Sequence, residues 1–413
     1  MSETNWAGNL TYGTNVVHRP RTLDELQEIV HRARKLRTLG SRHSFNTIAD
    51  SDSELISMRA LARIVDINAA ARTVTVEGGI TYGELCPVLD AAGFALHNLA
   101  SLPHISVVGA CTTATHGSGN ANKNLAAAVA SLEIVTASGE AVTYRRGQAG
   151  FDGAVVGLGA LGVVSKVTLD IQPRFEVRED IYTDLPFRTL VDNFEAISGA
   201  AYSVSSFTHW RGDTVGFVWL KNLADHAPPA GEFFGAKAQT RPWHPIAEMD
   251  PAPVTQQMGV PGPWYLRLPH FRMEFQPSAG AELQSEYFVA RRDARAALEA
   301  LHAVQDQISG PLMVSEIRTM AADDYWLSMN YKEDCMAFHF TWIQDWPAVS
   351  KALDAVETAL APLNPRPHWG KLFTMDKSTL QSRYARLADF RALASKHDSE
   401  GKFRNAFVDE YVF

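Results

Sequence analysis

Residues 108–119 read VGACTTATHGSG. Gly109, Thr112, Thr113, Thr115, His116, Gly117, Ser118 and Gly119 offer hydroxyls and a permissive backbone with almost no charge, which suits a segment that holds phosphate through amides and hydroxyls. A polar Gly-rich loop with no ligand fits the same letters. A second stretch of this kind, GSRHSFN at 40–46, leaves backbone N–H groups free to cradle phosphate yet places Arg42 and His43 inside the turn. The elements around these two stretches decide the fold class.

The first third alternates helix and strand signals. Thr22-Leu23-Asp24-Glu25 is a capping box, and Leu26, Ile29, Val30 and Ala33 follow at helical spacing. Arg32, Arg34, Lys35 and Arg37 suit a helix C-terminus, so a helix is expected over 23–36. RTVTVEGGITYGEL predicts a strand over 73–77, a turn at Gly78-Gly79, and a helix opened by Thr81 with Glu84 and closed by Gly93. LEIVTASGEAVTY reads as a hairpin turning at Ser138-Gly139, and GVVSKVTLDI as a strand rich in β-branched residues. Beyond Pro173 the pattern changes. Residues 226–264 are rich in Pro, Trp and His, as in ordered loops that lie over something else. Strands are then expected at 284–289, 312–319 and 335–342, and helices at about 292–308 and 347–360. Both halves are α+β. A chain of 413 residues exceeds what one hydrophobic core serves, so two domains are expected, with the apolar tail DSEGKFRNAFV returning to the first.

Charge and cysteine usage narrow the partners. With 38 Lys+Arg against 46 Asp+Glu the net charge is -8, and nucleic acid is not an expected partner. Cys86, Cys111 and Cys335 are far apart without CxxC spacing, which argues against a disulfide framework or a cysteine metal site and for a reducing compartment. His43, His116, His339 and His368 are dispersed with no i, i+4 pair on a helix, so no metal is expected. MSETNW lacks the pattern of a secretory signal, and no apolar run approaches the roughly 20 residues of a membrane span. A cytoplasmic protein that engages no membrane is expected. GLGALG at 157–162 matches G-x-G-x-x-G letter for letter, but its glycines precede a strand instead of opening a helix, so a close backbone approach is the better reading than a dinucleotide fingerprint.

Polar side chains recur in pairs in the second half. Glu316 and Arg318 in MVSEIRTM stand two apart on an expected strand and share a face. His339 and Thr341 in AFHFTWI do likewise, with Phe338, Phe340 and Trp342 opposite. A solvent-exposed sheet face explains these pairs equally well. RPHWGKLF at 366–373 adds His368, Trp369 and Lys371.

The order of the pieces carries more than any one of them. A short helix, the Gly-x-x-His-Ser turn, the strand-turn-helix with Gly78-Gly79, the loop ending in Thr115-His116-Gly117, and GALGVV leading into a strand resemble the FAD domain of the vanillyl-alcohol oxidase family. With Glu-x-Arg, His-x-Thr and His-Trp-Gly-Lys downstream, NLASLPHIS at 98–106 and the GKFRNAFV tail, the chain resembles the alditol oxidases of that family, the xylitol and sorbitol oxidase type. Aldonolactone oxidases are close relatives. The resemblance implies a two-domain α+β fold. A PCMH-type FAD-binding domain would span 1–174, an α+β substrate-binding cap 175–377, and a C-terminal segment, 378–413, would return to the FAD domain. It implies FAD bonded through His43 to the flavin 8α-methyl, with contacts from Leu39, Gly40, Ser41, Arg42 and Ser44 in the first turn. Further implied contacts are Ser101 and Ser106, then Gly109, Thr113, Ala114, Thr115, His116 and Gly117, and finally Val163 and Lys371. Members often carry a small residue where this chain has Arg42. A cation there would favour the neutral, nucleophilic imidazole of His43; a solvated arginine is the other reading.

The resemblance further implies a monomer that binds a small polyol through Ser101, Glu316, Arg318, Thr341 and Lys371 and uses O2 as electron acceptor. The expected reaction oxidises the C1 hydroxyl of xylitol, sorbitol or glycerol to the aldose by hydride transfer to flavin N5, with H2O2 formed on reoxidation. In it His339 takes the hydroxyl proton while Arg318 and Lys371 stabilise the developing alkoxide. Ala100, beside Ser101, would leave room for oxygen. The nearest alternative is an aldonolactone oxidase or dehydrogenase of the same fold, and a non-catalytic flavin- or sugar-binding protein is the more remote one.

Overall fold

The computed structural model describes residues 4–226, 232–246, 249–275 and 281–413. Within the Pro-, Trp- and His-rich stretch, residues 227–231 and 247–248 lie outside the described residues. Near the N-terminus, the Thr22 side chain accepts from the Glu25 N–H at 3.1 Å and opens the helix Leu23–Arg32, while Glu25 reaches back to the Arg21 N–H. The helix stops four residues short of the expected end. Ala33 is extended, and Leu36–Leu39 forms a strand parallel to Glu54–Ser57, which pairs in turn with Val17–His18. Strand pairing overrides helical spacing here. As a result Arg37 does not trail a helix end; it is 3% exposed and donates to the carbonyls of Leu158, Gly159, Ile48 and Phe403. Two of those carbonyls belong to the GLGALG loop, which runs into the strand Val163–Asp170 and opens no helix.

A five-stranded antiparallel sheet follows, in the order Ile64–Asn68, Thr73–Glu77, Val163–Asp170, Val129–Val135, Ala141–Arg145. Val74 and Val76 are fully buried on one face, as period-two alternation requires, and Thr75 pairs with Thr168 across the strands. The Gly78-Gly79 turn accepts no side chain: a Cβ on Gly79 would stand 1.9 Å from the Met58 carbonyl oxygen. After it the capping box closes, with Glu84 accepting from the Thr81 N–H at 3.0 Å, and the helix Tyr82–Ala91 ends before Gly93 at φ +85°.

The second half is built on one sheet of ten strands among the described residues. Its centre holds Ser203–Thr208, Leu312–Met320, Cys335–Ile343 and Glu282–Ala290, in that order and antiparallel. Phe338, Phe340 and Trp342 pack with Leu298 and Leu301 of the helix Ala294–Ala303 and with Val349 and Leu353 of the helix Trp346–Leu360. The expected helix 292–308 is broken: a 3-10 turn precedes Ala294–Ala303, and non-helical Val304 separates that helix from Gln305–Ile308. A β-branched side chain sits at the break. Beyond the sheet the chain returns. Phe403 packs with Leu26 and Val30, and Asn405 Nδ2 donates to the Thr47 and Asp50 carbonyls at 2.9 and 2.8 Å. Among the described residues no helix is long and apolar enough to cross a membrane.

Candidate active site

A cavity of about 330 Å³ has the turns of the first third on one side and the polar face of the large sheet on the other. That volume suits a bound small molecule or cofactor. Ser57, Arg59, Gly78, Gly79 and Gly159 line the first side, and Glu286, Glu316, Arg318, His339, Thr341 and Lys371 the second.

The 40–46 turn contributes Gly40, Ser41, Arg42, His43 and Ser44 to the lining, with Leu39 just before it. Arg42 adopts φ +64°, and its carbonyl accepts from the Trp6 N–H at 2.8 Å. This brings the Trp6 ring into a stack on His43, with centroids 5.3 Å apart. Burial pushes the His43 imidazole down to about 4, with His104 and then Arg42 adding to the effect. Arg42 is therefore a minor helper beside desolvation. His43 Nδ1 is buried without a hydrogen-bond partner. Ser41 Oγ accepts from the Ser106 N–H at 3.0 Å, and a Cβ on Gly40 or Gly109 would come within 2.9 or 2.5 Å of Ser106 Oγ. The turn is thus stitched tightly to the loop before residue 108.

Within 108–119 the hydroxyls are partly committed. Thr113 donates to the Gly109 carbonyl at 2.9 Å and lies 3.1 Å from the Thr115 hydroxyl. Thr115, His116 and Gly109 line the cavity. Ala114, at φ +54°, sends its side chain into the apolar core, as does Val163, which packs with Leu26 and Val30 while its neighbours Gly162 and Val164 face the cavity. Gly117 is pressed against Leu99 and Asn98, where a Cβ would stand 2.4 Å from the Leu99 carbonyl oxygen. Ala114, Val163 and Gly117 therefore present no side chain to the cavity.

The polar wall follows from strand register. Glu316, His339 and Glu286 lie directly opposite one another on three neighbouring strands, so period two puts Arg318, Thr341 and Gln284 on the same face. Glu286, only 1% exposed, is the hub: its carboxylate holds Arg318 Nη2 at 2.9 Å, Lys371 Nζ at 3.0 Å and His116 Nε2 at 3.1 Å. Despite burial, those partners keep its carboxyl well below the usual range. Burial lowers Lys371, with Glu286 opposing the fall. Arg318 Nη1 reaches Ser101 Oγ at 3.4 Å, and its buried Nε lies 3.5 Å from Glu316 Oε1. His339 bonds to Gln284. Gln284 donates to Glu282 at 2.5 Å, so its carbonyl oxygen accepts from His339 Nε2–H at 3.1 Å and Nδ1 keeps its lone pair. Burial, and then Lys371, push this imidazole well below its ordinary value, so it is neutral.

The HWGK segment is tied to the first turn. Asn46 Nδ2 donates to the Trp369 and Lys371 carbonyls at 2.9 and 2.8 Å, and the Phe45 N–H to Gly370. Trp369 anchors the segment through the Leu327 carbonyl, and His368 Nε2 lies 3.5 Å from the Thr115 hydroxyl. His43 and Lys371, more than three hundred residues apart in sequence, thus line one cavity. Sequence reasoning missed Glu286, Gln284, Asn46 and His270. The alternation Glu282, Gln284, Glu286 was a signal for the first two; His270 had none.

The chain matches the family model described as FAD binding domain over residues 14–145 and that of D-arabinono-1,4-lactone oxidase over 281–411. It is 49% identical to an alditol oxidase of Streptomyces sp. (strain IKD472 / FERM P-14339), covering 99% of this chain and 98% of the relative. It is 28% identical to an L-gulono-1,4-lactone dehydrogenase of Mycobacterium tuberculosis, over 98% and 97% of the two chains. Its fold matches that of cholesterol oxidase from B. sterolicum with a TM-score of 0.81 at 14% identity, over 100% and 96% of the two chains.

Proposed function

Because this chain belongs to the alditol oxidase family and has the two-domain α+β architecture of the vanillyl-alcohol oxidase type, we propose that it oxidises the C1 hydroxyl of a small alditol to the aldose. Xylitol, sorbitol and glycerol are the substrates to test. What most supports the reading is the wall of alternating charge, Glu316, Arg318, Glu286 and Lys371, beside a neutral histidine with a free lone pair. Such a wall offers acceptors and donors to several hydroxyls without demanding a charge on the ligand.

The residues present fit FAD: His43 supplies an unpartnered buried nitrogen, and Gly40, Ser41, Ser106, Gly109 and Thr115 line the rest of the cavity. FAD bound there supplies the hydride acceptor and, on reoxidation by O2, the source of H2O2. Glu316 accepts from substrate hydroxyls, and Ser101 and Thr341 accept or donate. His339 Nδ1 takes the C1 hydroxyl proton, and Arg318 and Lys371 stabilise the alkoxide that develops. In this reading Lys371 and Ser101, which line the cavity, contact both cofactor and substrate, and the small side chain of Ala100 beside Ser101 leaves room for O2. In this reading residues 1–174 and 378–413 hold FAD, residues 175–377 cover it, and the protein works as a cytoplasmic monomer.

Parallel assays with xylitol, sorbitol, glycerol and L-gulono-1,4-lactone, following peroxide and an artificial acceptor, test this. Turnover of a polyol with peroxide release is expected; turnover of the lactone alone would transfer the chain to the second reading, an aldonolactone oxidase or dehydrogenase, which the match over 281–411 favours. A covalent bond from His43 predicts that acid precipitation leaves the yellow colour in the pellet and that His43→Ala releases it to the supernatant. Acid-releasable flavin in the unmodified protein overturns the bond.

A further inference from the structure

Beside the polar wall, and lining the same cavity, lies a second set of buried contacts centred on His270, whose side chain and backbone reach different parts of the site. Its Nε2 is 2.7 Å from Glu316 Oε1, and its Nδ1 is 3.2 Å from Lys221 Nζ. Lys221 also donates to the carbonyls of Leu268 and Pro269 at 2.8 and 2.9 Å, so its three protons are all engaged. It lies 3.4 Å from Glu179, its cross-strand partner. A lysine that donates to Nδ1 fixes the proton of the ring on Nε2, and Nε2–H then donates to Glu316. The ring is also held edge-on against Phe207 and Trp219, at 5.8 and 5.2 Å. Its backbone N–H donates to the Ser101 carbonyl at 3.0 Å, and that of Phe271 to the same oxygen at 3.2 Å. One residue thus grips Ser101 from the first third and Glu316 from the second half.

Resting on the alditol reading above, we propose that His270 is a positioning residue that fixes Glu316 and Ser101 relative to each other and so sets the affinity for the polyol. It orients Glu316 so that Oε1 is occupied and Oε2 remains for substrate hydroxyls, with Lys221 setting the tautomer. The role is separable from folding by choice of substitution. Gln places a donor near the position of Nε2, Asn places an acceptor near that of Nδ1, and Phe keeps the ring shape with neither.

The experiment measures kcat, KM for xylitol, flavin content and Tm for the wild-type protein and for His270→Gln, His270→Asn and His270→Phe. Loss of a charge-assisted hydrogen bond to Glu316 should raise KM about ten- to a hundred-fold in the Phe and Asn variants. Smaller changes are expected in kcat, with flavin content unchanged and most of the affinity recovered in the Gln variant. Equal KM values across the four proteins, or a Gln variant as weak as Phe and Asn, would overturn the proposal. If Phe fails to fold, the Gln and Asn pair decides in the same way. Wild-type protein inert toward every polyol would instead remove the parent reading, whereas a wild-type protein that turns over xylitol beside variants of equal KM removes the proposal alone.

Discussion

Replacing Glu286 with Gln removes one negative charge from a site where it faces Arg318, Lys371 and His116 at 2.9, 3.0 and 3.1 Å. The amide keeps the shape and an acceptor, so the change isolates charge. At 3.0 Å and an effective dielectric near 20, the attraction to Lys371 is about 5.5 kcal/mol, an upper bound because desolvation of both groups offsets it. Breaking such a buried arrangement costs about 3–5 kcal/mol of stability. The chemistry should change as well. Burial already lowers Lys371, and Glu286 is the first group opposing that fall. Without it the lysine loses its proton at a lower pH, and we expect the alkaline limb of kcat/KM for xylitol to move acidward by at least about one unit. The assay is a pH profile of kcat/KM for the two proteins, with Tm and flavin content measured on the same samples. A Gln variant with wild-type stability and an unmoved alkaline limb would refute the role of Glu286 as the hub that keeps Lys371 charged.

Three further outcomes follow from named contacts. His339→Ala should lower kcat about 10²–10⁴-fold with flavin content retained; near-normal turnover on xylitol would assign the base elsewhere. Gly79→Ala drives a Cβ to within 1.9 Å of the Met58 carbonyl oxygen, and overpacking against backbone should cost about 1–3 kcal/mol or more, seen as a lower Tm; an unchanged Tm would contradict the turn geometry. Burial holds His270 and His368 at about 4 and about 3, against an ordinary 6.5, so the unfolded chain takes up protons before the folded one as pH falls. Stability is full above 6.5 and is lost as pH falls toward those values, by about 3 kcal/mol for His270 at pH 4, and urea midpoints that stay flat from 6.5 to 4 would contradict this.

What the sequence made legible follows from periodicity. Glu316 with Arg318, and His339 with Thr341, were readable because a strand repeats every two residues, and the structure brings both pairs into one cavity. The same rule applied to Glu282, Gln284 and Glu286 marks the hub as well, through a polar alternation only three residues long. His270 sits in a loop without period, and its role depends on a Lys221–Glu179 pairing that exists only in the folded register. Arg37 was misplaced for the opposite reason: helical spacing continues past Ala33, and only the parallel partner Glu54–Ser57 turns 36–39 into a strand. The family resemblance implied Ala114 and Val163 as cofactor contacts, yet the side chains of both pack in the apolar core, Ala114 at φ +54° and Val163 on the inward face of its strand.

The central claim is that a polyol hydroxyl is oxidised in this cavity by bound FAD. Its most direct test is an anaerobic titration of the purified yellow protein with xylitol, following the visible flavin absorbance, with air admitted at the end. The account predicts bleaching on addition of xylitol, and recovery of colour with peroxide on admission of air. Colour that no polyol bleaches would contradict it.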